Sequence, residues 1–223
     1  MDKQTAVIIG ATGLIGSLLV ETLLNDDSFE KIRVLVRRPY EKQHPKLEVC
    51  VLDFNNLDDY ANKLGIGDSI FCCIGTTQKK VNGDKAAYRK IDYDIAVNAA
   101  ILGKKAGFTK YLLVSSLGAD ANAKGFYLKL KGEVETKIAS IGFASFHIFR
   151  PSFLLGSRNE VRTGESIMKV FFKGLSNLFL GGWTKYKAIE AKTVANAMAA
   201  AAKENFVGQK IYYYDEMNAL VTI

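Results

Sequence analysis

Cysteine and histidine are scarce in this chain. Its 223 residues include three cysteines, Cys50, Cys72 and Cys73, and two histidines, His44 and His147. So small a supply excludes a disulfide framework, and no spacing among them suits zinc, so no metal site is expected. Cys72 and Cys73 are neighbours in an apolar run, where successive side chains point to opposite faces of a sheet. They read as small buried hydrophobes. His147, inside Phe146-His147-Ile148-Phe149, reads as a satisfied strand residue. Also missing is any apolar run near the roughly 18 residues that a membrane span needs, so no membrane association is expected. The first residues lack a signal-peptide layout, and the expected location is cytoplasmic. Disorder is excluded as well, because 48% hydrophobic against 24% charged residues makes an ordinary packed core.

Charge of one sign is present but not gathered. The net charge is +7, from 30 Lys+Arg and 23 Asp+Glu, yet the lysines lie in scattered pairs such as Lys79-Lys80 and Lys104-Lys105. Specific nucleic-acid binding wants a concentrated basic patch, so nucleic acid is not an expected partner.

What the chain does have is alternation. Apolar runs at 5–9, 32–36, 47–51, 69–74, 110–114 and 145–149 read as strands, and strands buried on both faces of a parallel sheet give such continuous runs. Between them lie helical spacings: Leu14, Leu18, Leu19 and Leu23 over 13–24, Ile91, Ile95 and Ala99 over 86–105, and Leu130, Val134 and Ile138 after Gly125. The order predicts an α/β fold, a Rossmann-type doubly wound parallel sheet. The length suits one domain over 1–223. Residues 151–223 are expected to add a small substrate-side lobe, with helices around 165–180 and 191–203 and a last strand near 210–214.

The first strand runs into Gly10-Ala11-Thr12-Gly13-Leu14-Ile15-Gly16, and a helix follows at once. Glycines allow a tight turn and close backbone approach to a pyrophosphate. A helix N-terminus then offers free N–H groups and a positive dipole end. Without a Gly-Lys-Ser/Thr ending this is not a P-loop. At the second strand's end, where NAD sites usually carry Asp or Glu, stand Arg37-Arg38. A guanidinium binds a 2′-phosphate that a carboxylate would repel, which predicts NADP(H). Asp53-Phe54 ends the third strand, where the pair could meet adenine or form a structural turn. Gly75-Thr76-Thr77 ends the fourth strand, where backbone can line the cofactor.

Tyr127 and Lys131 are four residues apart, on one face if the segment is helical. Glu133 and Lys137 support a helix, and Gly132 within it, costing roughly 1 kcal/mol against alanine, marks close packing. Upstream, a strand ends in Ser115-Ser116. A tyrosine with an ordinary pKa near 10 transfers protons poorly at neutral pH, whereas a neighbouring ammonium and an oxidised nicotinamide favour the phenolate. Tyr127 would then protonate a carbonyl oxygen as hydride arrives. A serine hydroxyl would orient that oxygen, and Lys131 would hold ribose hydroxyls.

Together these residues resemble the short-chain dehydrogenase/reductase superfamily, its extended and atypical branches in particular. Phe71-Cys72-Cys73-Ile74-Gly75-Thr76-Thr77, Ser115-Ser116-Leu117-Gly118-Ala119-Asp120, Tyr-Leu-Lys-Leu-Lys-Gly-Glu-Val-Glu from Tyr127, and Phe149-Arg150-Pro151 are similar to the Tat-interacting-protein-like oxidoreductases. The resemblance implies that Gly10, Thr12, Gly13, Leu14, Ile15 and Gly16 wrap the pyrophosphate and that Arg37 meets the 2′-phosphate. It implies that Tyr127 and Lys131 are the catalytic pair and that Arg150, Pro151 and Ser152 lie beside the nicotinamide. Ser116 is the favoured catalytic serine, with Ser115 the alternative. The expected function is NADP(H)-dependent reduction of a small carbonyl compound. The alternatives are an NADPH-binding regulator without turnover that presents a surface to a protein partner and, less favoured for want of C-terminal length, a nucleotide-sugar epimerase. Phe153, Phe171, Phe172, Phe179 and Trp183 would line an apolar substrate pocket or simply pack a core. Substrate identity, and the choice between monomer and homodimer, stay open.

Overall fold

The computed structural model describes residues 3–156 and 181–222. Seven strands form one all-parallel sheet: β1 (Gln4–Ile9), β2 (Phe29–Val36), β3 (Leu47–Val51), β4 (Ser69–Cys72), β5 (Lys110–Val114), β6 (Ser145–Phe149) and a C-terminal strand (Gly208–Tyr212). In space they run β3-β2-β1-β4-β5-β6 and then the C-terminal strand. The chain therefore starts at the centre, winds outward through β2 and β3, and crosses back to β4. The order reverses between β1 and β4, and at such a switch point the strand ends open a ligand crevice.

The continuous apolar runs arise because both faces are covered. Ala6 and Ile8 face one core, with Leu19 and Leu23 of helix α1 (Leu14–Leu24); Val7 and Ile9 face the other. That second core takes Tyr60 and Leu64 from α2 (Leu57–Leu64) and Val134 and Ile138 from a later helix. It is completed by a long helical stretch made of α3 (Lys85–Arg89), a π-helical turn (Lys90–Asp94) and α4 (Ile95–Lys105). The later helix is α5 (Phe126–Ala139).

The C-terminal part, where a small substrate-side lobe is expected, contributes both a ribbon and a strand of the main sheet. Leu154–Leu155 (β7) pairs with Ile189–Glu190 (β8) as a small two-stranded parallel ribbon outside the main sheet. Beyond it, α6 (Ala191–Lys203) packs into the α1 core through Val194 and Met198. The strand Gly208–Tyr212, β9, is the seventh strand of the main sheet, and α7 (Tyr214–Val221) closes on the same face through Met217. Half of the expected lobe thus completes the Rossmann body, because an alanine-rich helix such as α6 approaches α1 closely. The helix expected around 165–180, with Phe171, Phe172 and Phe179, lies outside the described residues, as does the side chain of Trp183.

The cysteines fall as their pattern predicts. Cys72 belongs to the α4 side and Cys73 to the α1 side. Burial pushes both thiols up, which keeps them protonated and unreactive.

Candidate cofactor and catalytic site

The glycine turn at the end of β1 has a steric reason at each glycine. Gly10 has φ of +87°, and a Cβ on it would stand 2.7 Å from the Cys73 carbonyl group beyond β4. A Cβ on Gly16 would stand 2.1 Å from the Gly10 oxygen. That oxygen accepts the Gly13 N–H at 2.8 Å and folds the turn shut. Helix α1 starts without a side-chain cap and without an acidic residue in its first turn. By contrast, Asn56 caps α2 and Asp84 caps α3. An uncapped start leaves donors and the dipole's positive end for an anion. Thr12 is exposed at this turn, Leu14 is half-buried and Ile15 is buried. Arg37 and Arg38 are both exposed just past β2. The cradle fits a dinucleotide.

Asp53 and Phe54 form the turn after β3, where the Asp53 carbonyl accepts the Asn56 N–H at 3.0 Å. The Asp53 carboxylate accepts the backbone N–H and side-chain NH₂ of Asn55, which holds its pKa below the usual carboxylate value. Phe54 is buried edge-on against Tyr60, with ring centroids 4.9 Å apart. The turn named as one alternative is present, with Asp53 exposed and Phe54 packed on Tyr60.

At the crevice, α5 carries Tyr127 and Lys131 on one side, as their spacing requires. The Lys131 ammonium lies 6.0 Å from the centre of the half-buried Tyr127 ring. Lys131 itself is only 5% exposed. It is charged there because Asp92, 1% exposed on the π-turn, sets its Oδ1 3.0 Å from Nζ. Burial opposes the charge, but Asp92 and then Tyr127 outweigh it and hold the lysine above its usual pKa. The other Asp92 oxygen, Oδ2, accepts the Thr76 N–H at 2.8 Å. The Tyr88 hydroxyl donates to the Thr76 carbonyl at 2.9 Å. Thr77 Oγ1 accepts the Lys80 N–H at 3.3 Å. Gly75, Thr76 and Thr77 are therefore a braced loop and not a loose strand end.

The two serines part ways. Ser115 is buried, and its hydroxyl donates to Glu135 of α5. Ser116 is half-buried, with a weak 3.4 Å bond to the Leu117 carbonyl. Of the two hydroxyls, that of Ser115 is committed to Glu135, while that of Ser116 is the less tightly held. Glu135 also takes the Arg150 guanidinium, whose Nε donates at 3.0 Å and whose Nη1 reaches the Tyr213 hydroxyl at 3.1 Å. Pro151 follows at the end of β6, its carbonyl accepting the Leu117 N–H at 2.9 Å. The Ser152 hydroxyl donates to the Lys187 carbonyl.

Gly132 fits the close-packing expectation: a Cβ would sit 2.1 Å from the Ala121 nitrogen. Glu133, expected to pair along its own helix with Lys137, reaches Arg89 of α3 at 2.6 Å. Sequence reasoning missed Asp92, Glu135 and Tyr88. The signal for Asp92 was a carboxylate on an apolar helical stripe, since Tyr88, Asp92, Ile95 and Ala99 are all buried. For Glu135 it was the four-residue step from Lys131.

The model of the NAD(P)H-binding family matches residues 10–205. Rat protein HTATIP2 is 34% identical over 201 residues, covering 89% of this chain and 81% of that protein. Protein FMP52 of Coccidioides immitis, whose name adds mitochondrial, is 34% identical over 214 residues, 89% of this chain and 87% of that protein. These relatives bear out the resemblance carried by the motifs at 71–77, 115–120, 127–135 and 149–151. Among solved structures, a UDP-N-acetylglucosamine 4-epimerase from Methanobrevibacter ruminantium, complexed with UDP-N-acetylmuramic acid, superposes with a TM-score of 0.70 at 18% identity, covering 96% of this chain and 77% of that one. MoeE5, in complex with UDP-glucose and NAD, gives 0.68 at 18% identity, covering 93% and 74%. Both likenesses establish the fold. Among the described residues no helix is long and apolar enough to cross a membrane.

Proposed function

Because the chain belongs to the NAD(P)H-binding family, we propose that it is an NADP(H)-dependent oxidoreductase of the short-chain dehydrogenase/reductase type that reduces a small carbonyl compound. The observation that carries this reading is the buried Lys131 ammonium beside Tyr127, tied through Asp92 to the loop after β4. That loop follows Cys73, against which the Gly10 turn packs, so the anion cradle and the tyrosine share one crevice.

The bound cofactor supplies a hydride to the carbonyl carbon. The chain's residues do the rest. N–H groups at the start of α1 hold the pyrophosphate. Arg37, with Arg38 beside it, binds the 2′-phosphate through paired hydrogen bonds. The Ser116 hydroxyl donates to the carbonyl oxygen and orients it. Tyr127 gives its phenolic proton to that oxygen. Lys131 holds ribose hydroxyls and keeps a positive charge beside the phenolic oxygen as the proton leaves. Epimerase chemistry gains no support from the epimerase structures, because a likeness at 18% identity speaks only of the fold.

A panel of aldehydes and ketones, with NADPH and then NADH, tests this reading. NADPH oxidation above background is expected, with weaker binding of NADH. Arg37→Ala should weaken NADPH binding about 10- to 100-fold, the worth of a charge-assisted hydrogen bond, and leave NADH unchanged. Equal dissociation constants for the two cofactors in the native protein would contradict the NADP(H) preference. No turnover with any carbonyl would favour the regulator reading. A cytoplasmic location belongs to the same proposal, and fractionation of native cells decides it.

A further inference from the structure

The net charge of +7 is not spread evenly over the fold. Residues 76–90, which follow β4 and border the crevice, hold Lys79, Lys80, Lys85, Arg89 and Lys90 against one carboxylate, Asp84. All five cations are on exposed residues. Arg89 is taken by Glu133 of α5 at 2.6 Å. The segment is folded back on itself. A 3₁₀ turn (Gln78–Val81) ends in Asn82 and Gly83, both left-handed, with φ of +50° and +78°. The Gly83 N–H donates to the Gln78 carbonyl and the Asp84 N–H to the Val81 carbonyl, each at 2.9 Å. The segment is also clamped to the reacting end of the crevice. Tyr88 of α3 bonds the Thr76 carbonyl and sets its ring edge-on to Phe126 and Tyr127, with centroids 5.6 and 6.4 Å away. The Lys85 ammonium lies 5.6 Å from the centre of the Phe126 ring, one residue before the phenol. The anion sites already described, the start of α1 and Arg37-Arg38, follow β1 and β2, on the other side of the β1–β4 switch. The basic segment instead neighbours β5 and α5, which position Ser116 and Tyr127. A cleft edge of one sign raises the local concentration of ligands of the opposite sign.

We propose that the substrate carries an anionic group besides its carbonyl, and that Lys79 and Lys85 receive that group at the rim while Ser116 and Tyr127 hold the carbonyl oxygen. The proposal rests on the hydride-transfer reading above and narrows its substrate class. An anion at the rim keeps part of its hydration, so each lysine contributes modestly, as exposed pairs do. Selectivity comes from several cations acting on one charge. The contact is made as fully by bound substrate as by the transition state, so it lowers KM and leaves kcat alone. An ammonium is a point charge without the fork geometry of a guanidinium, so a carboxylate reports on the site as well as a phosphate would.

The test compares kcat/KM for 4-carboxybenzaldehyde with that for benzaldehyde, using protein saturated with NADPH. Following how the ratio changes cancels the intrinsic reactivity of the two aldehydes. Raising the salt from about 0.01 M to about 1 M shortens the screening length from about 30 Å to about 3 Å. The ratio should fall about tenfold across that range, the lower end of what a charged cleft supplies. In about 0.15 M salt, where charges are screened beyond about 8 Å, Lys79→Glu with Lys85→Glu should cut the ratio about tenfold, through KM, since two attractions become two repulsions. Lys105→Glu with Lys137→Glu makes the same change in net charge at exposed sites where α4 and α5 lead into β5 and β6, away from the crevice. That pair should leave the ratio within about twofold. A ratio that ignores salt, or that falls equally in both pairs of variants, would overturn the proposal. So would a higher NADPH dissociation constant in the Lys79→Glu, Lys85→Glu protein with the ratio intact, because the lysines would then serve the cofactor's phosphates. If the native protein turns over no aldehyde, the hydride-transfer reading fails by itself. The anion site is then judged by NMR titration of NADPH-loaded protein with 4-carboxybenzyl alcohol and benzyl alcohol. The carboxylate should bind about tenfold more tightly and lose that advantage in the Lys79→Glu, Lys85→Glu protein, and equal affinities in the native protein would overturn the proposal.

Discussion

The strand ends of the sheet and the body of β6 both bury polar side chains, but in opposite ways. At the strand ends the buried groups are charged: Asp92 with Lys131, and Glu135 with Arg150. In the body of β6 they are neutral. His147, fully buried, meets the Ser145 hydroxyl through Nε2 at 2.7 Å and the Tyr212 hydroxyl through Nδ1 at 2.8 Å. Burial, with Lys110 and Lys210 nearby, pushes its pKa from 6.5 down to about 4. A serine, a histidine and a tyrosine in a row invite a catalytic reading, yet nothing there keeps a charge. A satisfied neutral chain is an inexpensive way to bury polar atoms. Desolvated ion pairs are costly, and these two stand where strands end.

Substitutions on either side of that comparison should differ in kind. Glu135→Ala has the largest expected effect. It strips the partner from a mostly buried Arg150 and from the Ser115 hydroxyl, and breaking such a pair costs roughly 3–5 kcal/mol, measurable by urea unfolding. A change below about 1 kcal/mol would show that the strand-end charges are solvent-like, as surface pairs are.

His147 comes next. Its folded-state pKa is depressed, so its contribution is complete above pH 6.5 and is lost as pH falls towards 4. Within that window the unfolded chain takes up a proton that the folded one refuses, and stability falls by roughly 3 kcal/mol. His147→Gln should flatten that part of the pH–stability curve while leaving turnover at neutral pH intact. Lost turnover with a native Tm would move the Ser145–His147–Tyr212 chain to the functional side of the comparison.

Gly132→Ala is the smallest of the three. The new methyl group meets the backbone of Asp120 and Ala121, an overpacking worth about 1–3 kcal/mol, less the roughly 1 kcal/mol that alanine gains in a helix. A stabilised variant would mean that the 120–121 loop yields and does not fix α5 at the crevice.

The fold was legible because its signal is repetitive. Six apolar runs and three helical spacings each met a core, and the sheet followed. The misses have physical causes. Helix α2 went unread because it buries only Tyr60 and Leu64 and shows no apolar stripe of length; its visible mark was the Asn56 cap ahead of Asp58 and Asp59. The last strand was placed near 210–214 but runs from Gly208 to Tyr212, since Tyr213 leaves the sheet and Tyr214 starts α7. At the site, glycines and strand-end arginines announce themselves by type and position. Asp92, Glu135 and Phe54 do not: their roles depend on contacts with residues far along the chain or on which way one side chain turns, and spacing along one element carries neither.

The central claim is that Tyr127 passes a proton while hydride moves from NADPH to a carbonyl carbon. A single-turnover reaction with NADPH deuterated at its reducing carbon, run with native protein and with Tyr127→Phe, tests it directly. The prediction is that native protein delivers deuterium to the product carbon. Tyr127→Phe should bind NADPH with the native dissociation constant yet transfer label at least about 10²-fold more slowly, as loss of a general acid requires. Label transfer at the native rate by Tyr127→Phe, or none by the native protein with any carbonyl that binds, would contradict it.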